Sequence, residues 1–186
     1  VYGAVGLQCG ILFGREVGGS HTIGHTCAVD ILLRVVVDAI GELDTVSVWK
    51  GDRKQLTKIH STKYPHSIGL MYSAFTQRVG LKPNEEEFIL MGMAAYGKPM
   101  YSRAIRSQLV DIETPNIISK VNAHRGIDPE WFVAAKPEHL AASIQQVTEE
   151  FMLEICKWAK EKTGSDNLVL MGGCALNCVA NTKIAA

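Results

Sequence analysis

Apolar residues along this chain change period several times, and each change marks a boundary. Residues 32–37 (Leu-Leu-Arg-Val-Val-Val) form a short, β-branched apolar run that predicts a buried strand. The run ends at Asp38, and Ala39-Ile40-Gly41 reads as a turn. Residues 45–50 alternate apolar with polar and predict a second strand, closed by Gly51-Asp52, and residues 56–60 predict a third. Together they read as an antiparallel meander with an aspartate at its first turn.

From Ser67 the period lengthens. Ile68, Met71, Tyr72, Phe75 and Val79 share one face of a predicted helix that Gly80 stops. Asn84 can cap a second helix over 85–93, whose first-turn acids suit the helix dipole, and Gly97-Lys98-Pro99 closes it. Residues 100–135 hold no single period and are expected to form a small insertion. Residues 137–162 carry the longest helical pattern, with Leu140, Ile144, Val147, Phe151, Ile155, Trp158 and Ala159 on one face. Gly164 and Asn167 break it, residues 168–171 predict another buried strand, and Gly172-Gly173 turns into a helix over 174–186. The first thirty residues are glycine-rich and yield only a strand or short helix around 10–13. This order predicts an α/β domain.

The chain has 186 residues, enough for one domain or most of a lobe of a larger enzyme. Lys plus Arg and Asp plus Glu balance at 19 each, so no basic excess points to nucleic acid. No apolar run reaches the ~18 residues that span a bilayer, and no signal segment opens the sequence. The expectation is a soluble, cytoplasmic protein with no membrane partner. Five cysteines (Cys9, Cys27, Cys156, Cys174, Cys178) form no CxxC pair and fit reduced, mostly buried thiols. Cys174 and Cys178 lie four apart, a spacing that shares one helical face, but no His or Cys pair completes a zinc site. A first residue Val1 and an end inside an apparent helix suggest an excerpt of a longer protein.

Three local features can carry chemistry. Asp38 at a tight turn can hold a metal–phosphate group, or can simply cap a hairpin. Gly172-Gly173 between strand and helix can turn backbone N–H groups to a nucleotide, or be an ordinary glycine turn. His21 and His25, one helical turn apart, can bind iron, zinc or manganese with Asp38, or be incidental. His66 can flank a helix or donate to phosphate, while His60, His124 and His139 read as solvated surface.

Whole strings are more specific. Residues 64–75 (YPHSIGLMYSAF), 91–97 (MGMAAYG), 172–181 (GGCALNCVAN) and 37–42 (VDAIGE) stand in the order of the signatures of nodulation-protein-U-type carbamoyltransferases, which the chain resembles from about residue 35 onward. The match is poor over 1–34; residues 35–99 resemble the phosphate hairpin and helices, and 136–186 the helix, strand, diglycine turn and helix. The resemblance implies part of an actin-like ATPase (ribonuclease H-like) two-lobed domain, related to the tRNA threonylcarbamoyl transferase.

It also implies an O-carbamoyltransferase that moves a carbamoyl group to a hydroxyl of a sugar or other small acceptor. Carbamoyl phosphate and ATP would supply the group as carbamoyl adenylate, made by a further domain that these residues do not include. Catalytic roles would fall to Asp38 and His66, and contacts to ATP or the adenylate to Gly41, Gly92, Gly172, Gly173 and Asn177. A divalent metal, iron by the family's pattern, would be held by His21, His25 and Asp38. Two departures stand out: Ile89 replaces a frequent lysine, and Ala39 replaces a glycine after the motif aspartate. The competing expectations are a non-catalytic or partner-dependent fragment of an actin-like protein, and a tRNA threonylcarbamoyl transferase-like enzyme or sugar kinase.

Overall fold

The computed structural model describes residues 11–13, 31–40, 43–52 and 55–186. The predicted apolar run becomes β2 (Ile31–Val37), preceded by β1 (Ile11–Phe13). The meander continues through β3 (Asp44–Asp52) and β4 (Gln55–Lys63), both longer than the alternating pattern indicated. β2 pairs antiparallel with β3, and β3 with β4. Leu33, Val35 and Val37 are buried while Leu32, Arg34 and Val36 are only half-buried, the two-residue period of a sheet with unequal faces.

The sheet is mixed, and its completion comes from far along the chain. β7 (Leu168–Met171) lies parallel to β2, and β1 pairs antiparallel with β7, giving the order β1-β7-β2-β3-β4. The crossover from the meander to β7 contains all the long helices, as a parallel neighbour requires.

α1 (Ile68–Arg78) starts at Ser67, whose hydroxyl accepts a hydrogen bond from the Leu70 N–H at 3.1 Å. Almost all of α1 is buried, so it is a core helix rather than a one-sided surface one. α2 (Glu87–Ala94) begins later than the pattern predicted. Asn84 does not cap it. Its φ is 65°, and its N–H donates to the Glu87 carboxylate at 2.6 Å, so the acid closes the turn and delays the helix.

Residues 100–135 hold α3 (Ser102–Gln108), the hairpin β5 (Val110–Glu113) and β6 (Asn116–Ser119), and a 3₁₀ turn at Ala123–Arg125. Ile105, Leu109, Val110 and Ile117 are fully buried in the same core as α1 and α4. α4 (Pro137–Thr163) spans 27 residues, with Pro137 in its first turn and Gly164 left-handed at φ 68° after its end. Ile144, Val147, Phe151 and Ile155 form its buried ridge, as predicted.

After β7 the chain does not run straight into a helix. Gly173–Leu176 form a 3₁₀ turn, and α5 (Cys178–Ala185) starts at Asn177. Cys174 and Cys178 therefore sit on different elements, not on one helical face. Their neighbour Asn177 breaks the helical run because its side chain accepts from the Ala180 N–H at 3.0 Å. His60 is not solvated either: it is half-buried, edge-on to Trp158 with ring centroids 5.5 Å apart. Burial lowers its pKa, and the Pro115 carbonyl partly offsets that.

Candidate active site

Because β2 and β7 are parallel neighbours, both carboxyl ends open on the same edge of the sheet. That edge is where α/β sheets place their ligands. β2 delivers Asp38 there and β7 delivers Gly172-Gly173.

The Asp38 segment is fixed from several directions. Its N–H donates to the Thr45 carbonyl at 2.8 Å, continuing the β2–β3 ladder into the turn. Its own carbonyl accepts from the Ser67 hydroxyl at 3.1 Å, so the cap of α1 also tethers this turn. The carboxylate Oδ1 accepts from the Ala39 N–H at 2.8 Å. Gly69 lets α1 approach closely: a Cβ there would lie 2.8 Å from the Ala39 backbone. Gly172 does the same from the other side, with φ 89° and room for no Cβ, which would fall 2.2 Å from the Val37 carbonyl oxygen.

A cleft of about 420 Å³ opens over this junction. Asp38, Ala39 and Gly69 form its floor, Gly173, Cys174 and Asn177 one wall, and Glu85, Glu87 and Phe88 another. Phe88 and Leu176 expose about two thirds of their surface and give it apolar edges. Its lining includes three carboxylates (Asp38, Glu85, Glu87) and no Lys, Arg or His among the described residues.

Two protons on the walls are held tightly. Burial pushes the Cys174 thiol up to about 12, and the Asp38 charge adds to the effect. The Tyr72 phenol is raised first by burial, then by Cys174, Glu149 and Glu87. Both groups keep their protons at pH 7.

The sequence-predicted residues divide clearly. Asp38, Gly173 and Asn177 line the cleft, and Gly172 shapes it from behind. Gly92 is exposed on α2 and is not among the lining residues, although its neighbour Met91 is. His66 is not a lining residue; its Nδ1 accepts from the Ser119 N–H at 3.2 Å and its carbonyl accepts from the Thr45 hydroxyl. His21, His25 and Gly41 lie outside the described residues. Among the described residues no three of His, Cys, Asp and Glu gather to hold a metal.

Sequence reading passed over Tyr72, Ser73 and Glu87. The Ser73 hydroxyl donates to Glu87 Oε1 at 2.6 Å, joining α1 to α2 across the cleft. Tyr72 and Ser73 stand inside the 64–75 string, which was the available signal.

The fold and site thus define a mixed α/β domain with a ligand cleft at the carboxyl ends of parallel strands. The chain belongs to the carbamoyltransferase N-terminus family, which matches residues 28–186. It is 37% identical over 168 residues to uncharacterized protein sll1178 of Synechocystis, covering 80% of this chain and 27% of that protein. It is 30% identical over 127 residues to uncharacterized protein MJ1058 of Methanocaldococcus jannaschii, covering 63% and 21%. Nodulation protein NolNO of Sinorhizobium fredii is 23% identical over 196 residues, covering 92% and 28%. The chain spans about a quarter of the length of these relatives. No helix among the described residues is long and apolar enough to cross a membrane.

Proposed function

We propose that the full-length protein is an O-carbamoyltransferase, and that the cleft is where carbamoyl adenylate meets an acceptor hydroxyl. The observation that carries this reading is the junction of Asp38 with the close-packed Gly69 and Gly172-Gly173 backbones, in a chain of the carbamoyltransferase N-terminus family. An actin-like ATPase architecture is the fold this reading implies for the complete domain. Carbamoyl phosphate and ATP would supply the adenylate through a further domain, and a sugar or other small hydroxyl compound would accept the carbamoyl group.

The charge balance of the cleft supports a cation in the bound state. A phosphate group beside three carboxylates and no cationic side chain needs a positive charge between them. Asp38 fits as a ligand to that cation, since its Oδ2 takes no hydrogen bond from the described residues. His21 and His25 would join it in the ligand set that the family implies, with iron as the metal. When bound, the metal supplies Lewis-acid polarisation of the acyl phosphate.

The protein's own part is positioning. The Gly172-Gly173 turn sets backbone against the AMP portion, and the apolar edges of Phe88 and Leu176 exclude water from it. The acceptor hydroxyl oxygen bonds to the carbamoyl carbon, the bond from that carbon to the AMP oxygen breaks, and AMP leaves with the electron pair as the hydroxyl proton is released. Holding the two reactants together supplies much of the rate.

The reading is tested on the full-length protein by metal analysis and by AMP release from ATP. It expects bound divalent metal, lost in Asp38→Ala, and AMP release that requires carbamoyl phosphate. Metal content unchanged in Asp38→Ala would remove Asp38 from the ligand set; AMP release indifferent to carbamoyl phosphate would remove the reaction.

A further inference from the structure

Behind the cleft wall, one buried amide is fully committed. Gln145 on α4 is 4% exposed and does not line the cleft. Its Oε1 accepts from the Tyr72 hydroxyl at 2.8 Å and from Asn177 Nδ2 at 3.0 Å. Its Nε2 donates to Glu149 Oε1 at 2.8 Å and to Asn177 Oδ1 at 3.0 Å. A primary amide offers two donor hydrogens and two acceptor lone pairs, so all four positions are used.

The orientation of this amide is not arbitrary. Glu149, buried and paired with Lys183 of α5, accepts and does not donate, so it holds Gln145 Nε2 rather than Oε1. At the other end the Ala180 N–H can only donate, so it holds Asn177 Oδ1. Gln145 and Asn177 then face each other as a reciprocal amide pair, each donating to the other. This pair uses one hydrogen of Asn177 Nδ2 and leaves the second, on a residue that lines the cleft.

We infer that Gln145 is a positioning residue for ligand binding: it locks Asn177 so that an N–H, and not a carbonyl, faces the cleft. The group recognised is an acceptor oxygen of the ligand. Tyr72, its hydroxyl hydrogen spent on Gln145, can offer the same ligand only an acceptor oxygen. The chain of command runs from Lys183 through Glu149 and Gln145 to Asn177. This rests on the reading of the cleft as the adenylate site for the identity of the ligand, but not for the orientation of Asn177.

The test uses the full-length protein with AMP as the probe, the portion of the adenylate that the cleft is read as holding. Gln145→Met keeps the length and burial of the side chain and removes its hydrogen bonds; Asn177→Ala removes the residue it acts through. Each single variant should weaken AMP binding roughly three- to tenfold, the worth of one ordinary hydrogen bond. With the second route closed by Tyr72→Phe in every variant, Gln145→Met with Asn177→Ala should bind no worse than Asn177→Ala alone, because Gln145 then reaches the ligand only through Asn177. Losses that multiply in the double variant would show a general structural role and overturn the proposal.

Gln145→Leu removes the same hydrogen bonds with a shorter side chain, and serves where Gln145→Met does not fold. A crystal structure of either Gln145 variant should show the Asn177 amide turned or displaced. An Asn177 that keeps its place and its bond to the Ala180 N–H overturns the proposal whatever the activity. Conversely, a displaced Asn177 in a protein whose AMP release ignores carbamoyl phosphate would sink the carbamoyltransferase reading and leave this one standing.

Discussion

Around Asp38 the main chain is gripped by hydrogen bonds to Thr45 and Ser67 and by two glycines that allow backbone contact. Gly172 is the more exacting of these. Its φ of 89° is costly for any L side chain, and a Cβ would meet the Val37 carbonyl oxygen at 2.2 Å. Gly172→Ala should therefore lower stability by at least about 2 kcal/mol, combining left-handed strain with overpacking. A urea titration checks it, and an unchanged midpoint would mean the turn is not so tightly packed. Cys156 and Cys174 make a second prediction at this scale. Both thiols are raised from an ordinary 9.0 to about 12, Cys156 by burial alone and Cys174 by burial and then Asp38. The folded state holds these protons more tightly than the unfolded chain does. Their stabilisation is thus fully present below pH 9 and is lost as pH rises from there towards 12. Unfolding midpoints should fall across that window, and less steeply in Cys156→Ala; a slope unaffected by that substitution would contradict the assignment. Iodoacetamide at pH 8 should label exposed Cys178 well before Cys174, as peptide mass analysis can show.

The elements were legible where one period ran uninterrupted. Val35, Val37, Val46 and Val48 announced β2 and β3, and the apolar ridge from Leu140 to Ala159 announced α4, because each repeats the geometry of its own burial. Around Asn84 the reading failed, since a residue that favours caps also favours left-handed turns, and the Glu87 side chain decided between them. The hairpin of Val110–Glu113 and Asn116–Ser119 is too short to show a period. Asp38 and Gly173 could be picked out because strand-end and glycine positions carry signals, and Asn177 only through the resemblance of the 172–181 string. Gln145 and Glu149 could not, since polar residues on a mostly buried helix face look like a flaw in the apolar pattern until their partners are seen. Ser67 joins element to site. Its hydroxyl caps α1 and also donates to the Asp38 carbonyl, so Ser67→Ala should cost about 1–2 kcal/mol of stability and loosen the Asp38 turn. A full loss of stability with ligand affinity untouched would show that the cap and the turn are independent.

For the whole molecule, the apolar pattern indicated the antiparallel meander of β2, β3 and β4 but not the strand that pairs with the other side of β2. Nothing in residues 168–171 says that they run parallel to residues 33–36, and that single pairing is what brings Asp38 and the diglycine turn to one cleft. The homologous strings and the geometry meet there, in a chain that matches the carbamoyltransferase N-terminus family over residues 28–186. The measurement that tests the account most directly separates the two halves of the proposed reaction in the full-length protein. Pyrophosphate release from ATP and carbamoyl phosphate reports adenylate formation, and AMP release reports transfer. In Asp38→Ala, the first-turnover burst of pyrophosphate should persist while AMP release falls on the order of a hundredfold, a loss typical of one electrostatic catalytic group. AMP release that survives the substitution at the wild-type rate would contradict the claim that transfer takes place at Asp38.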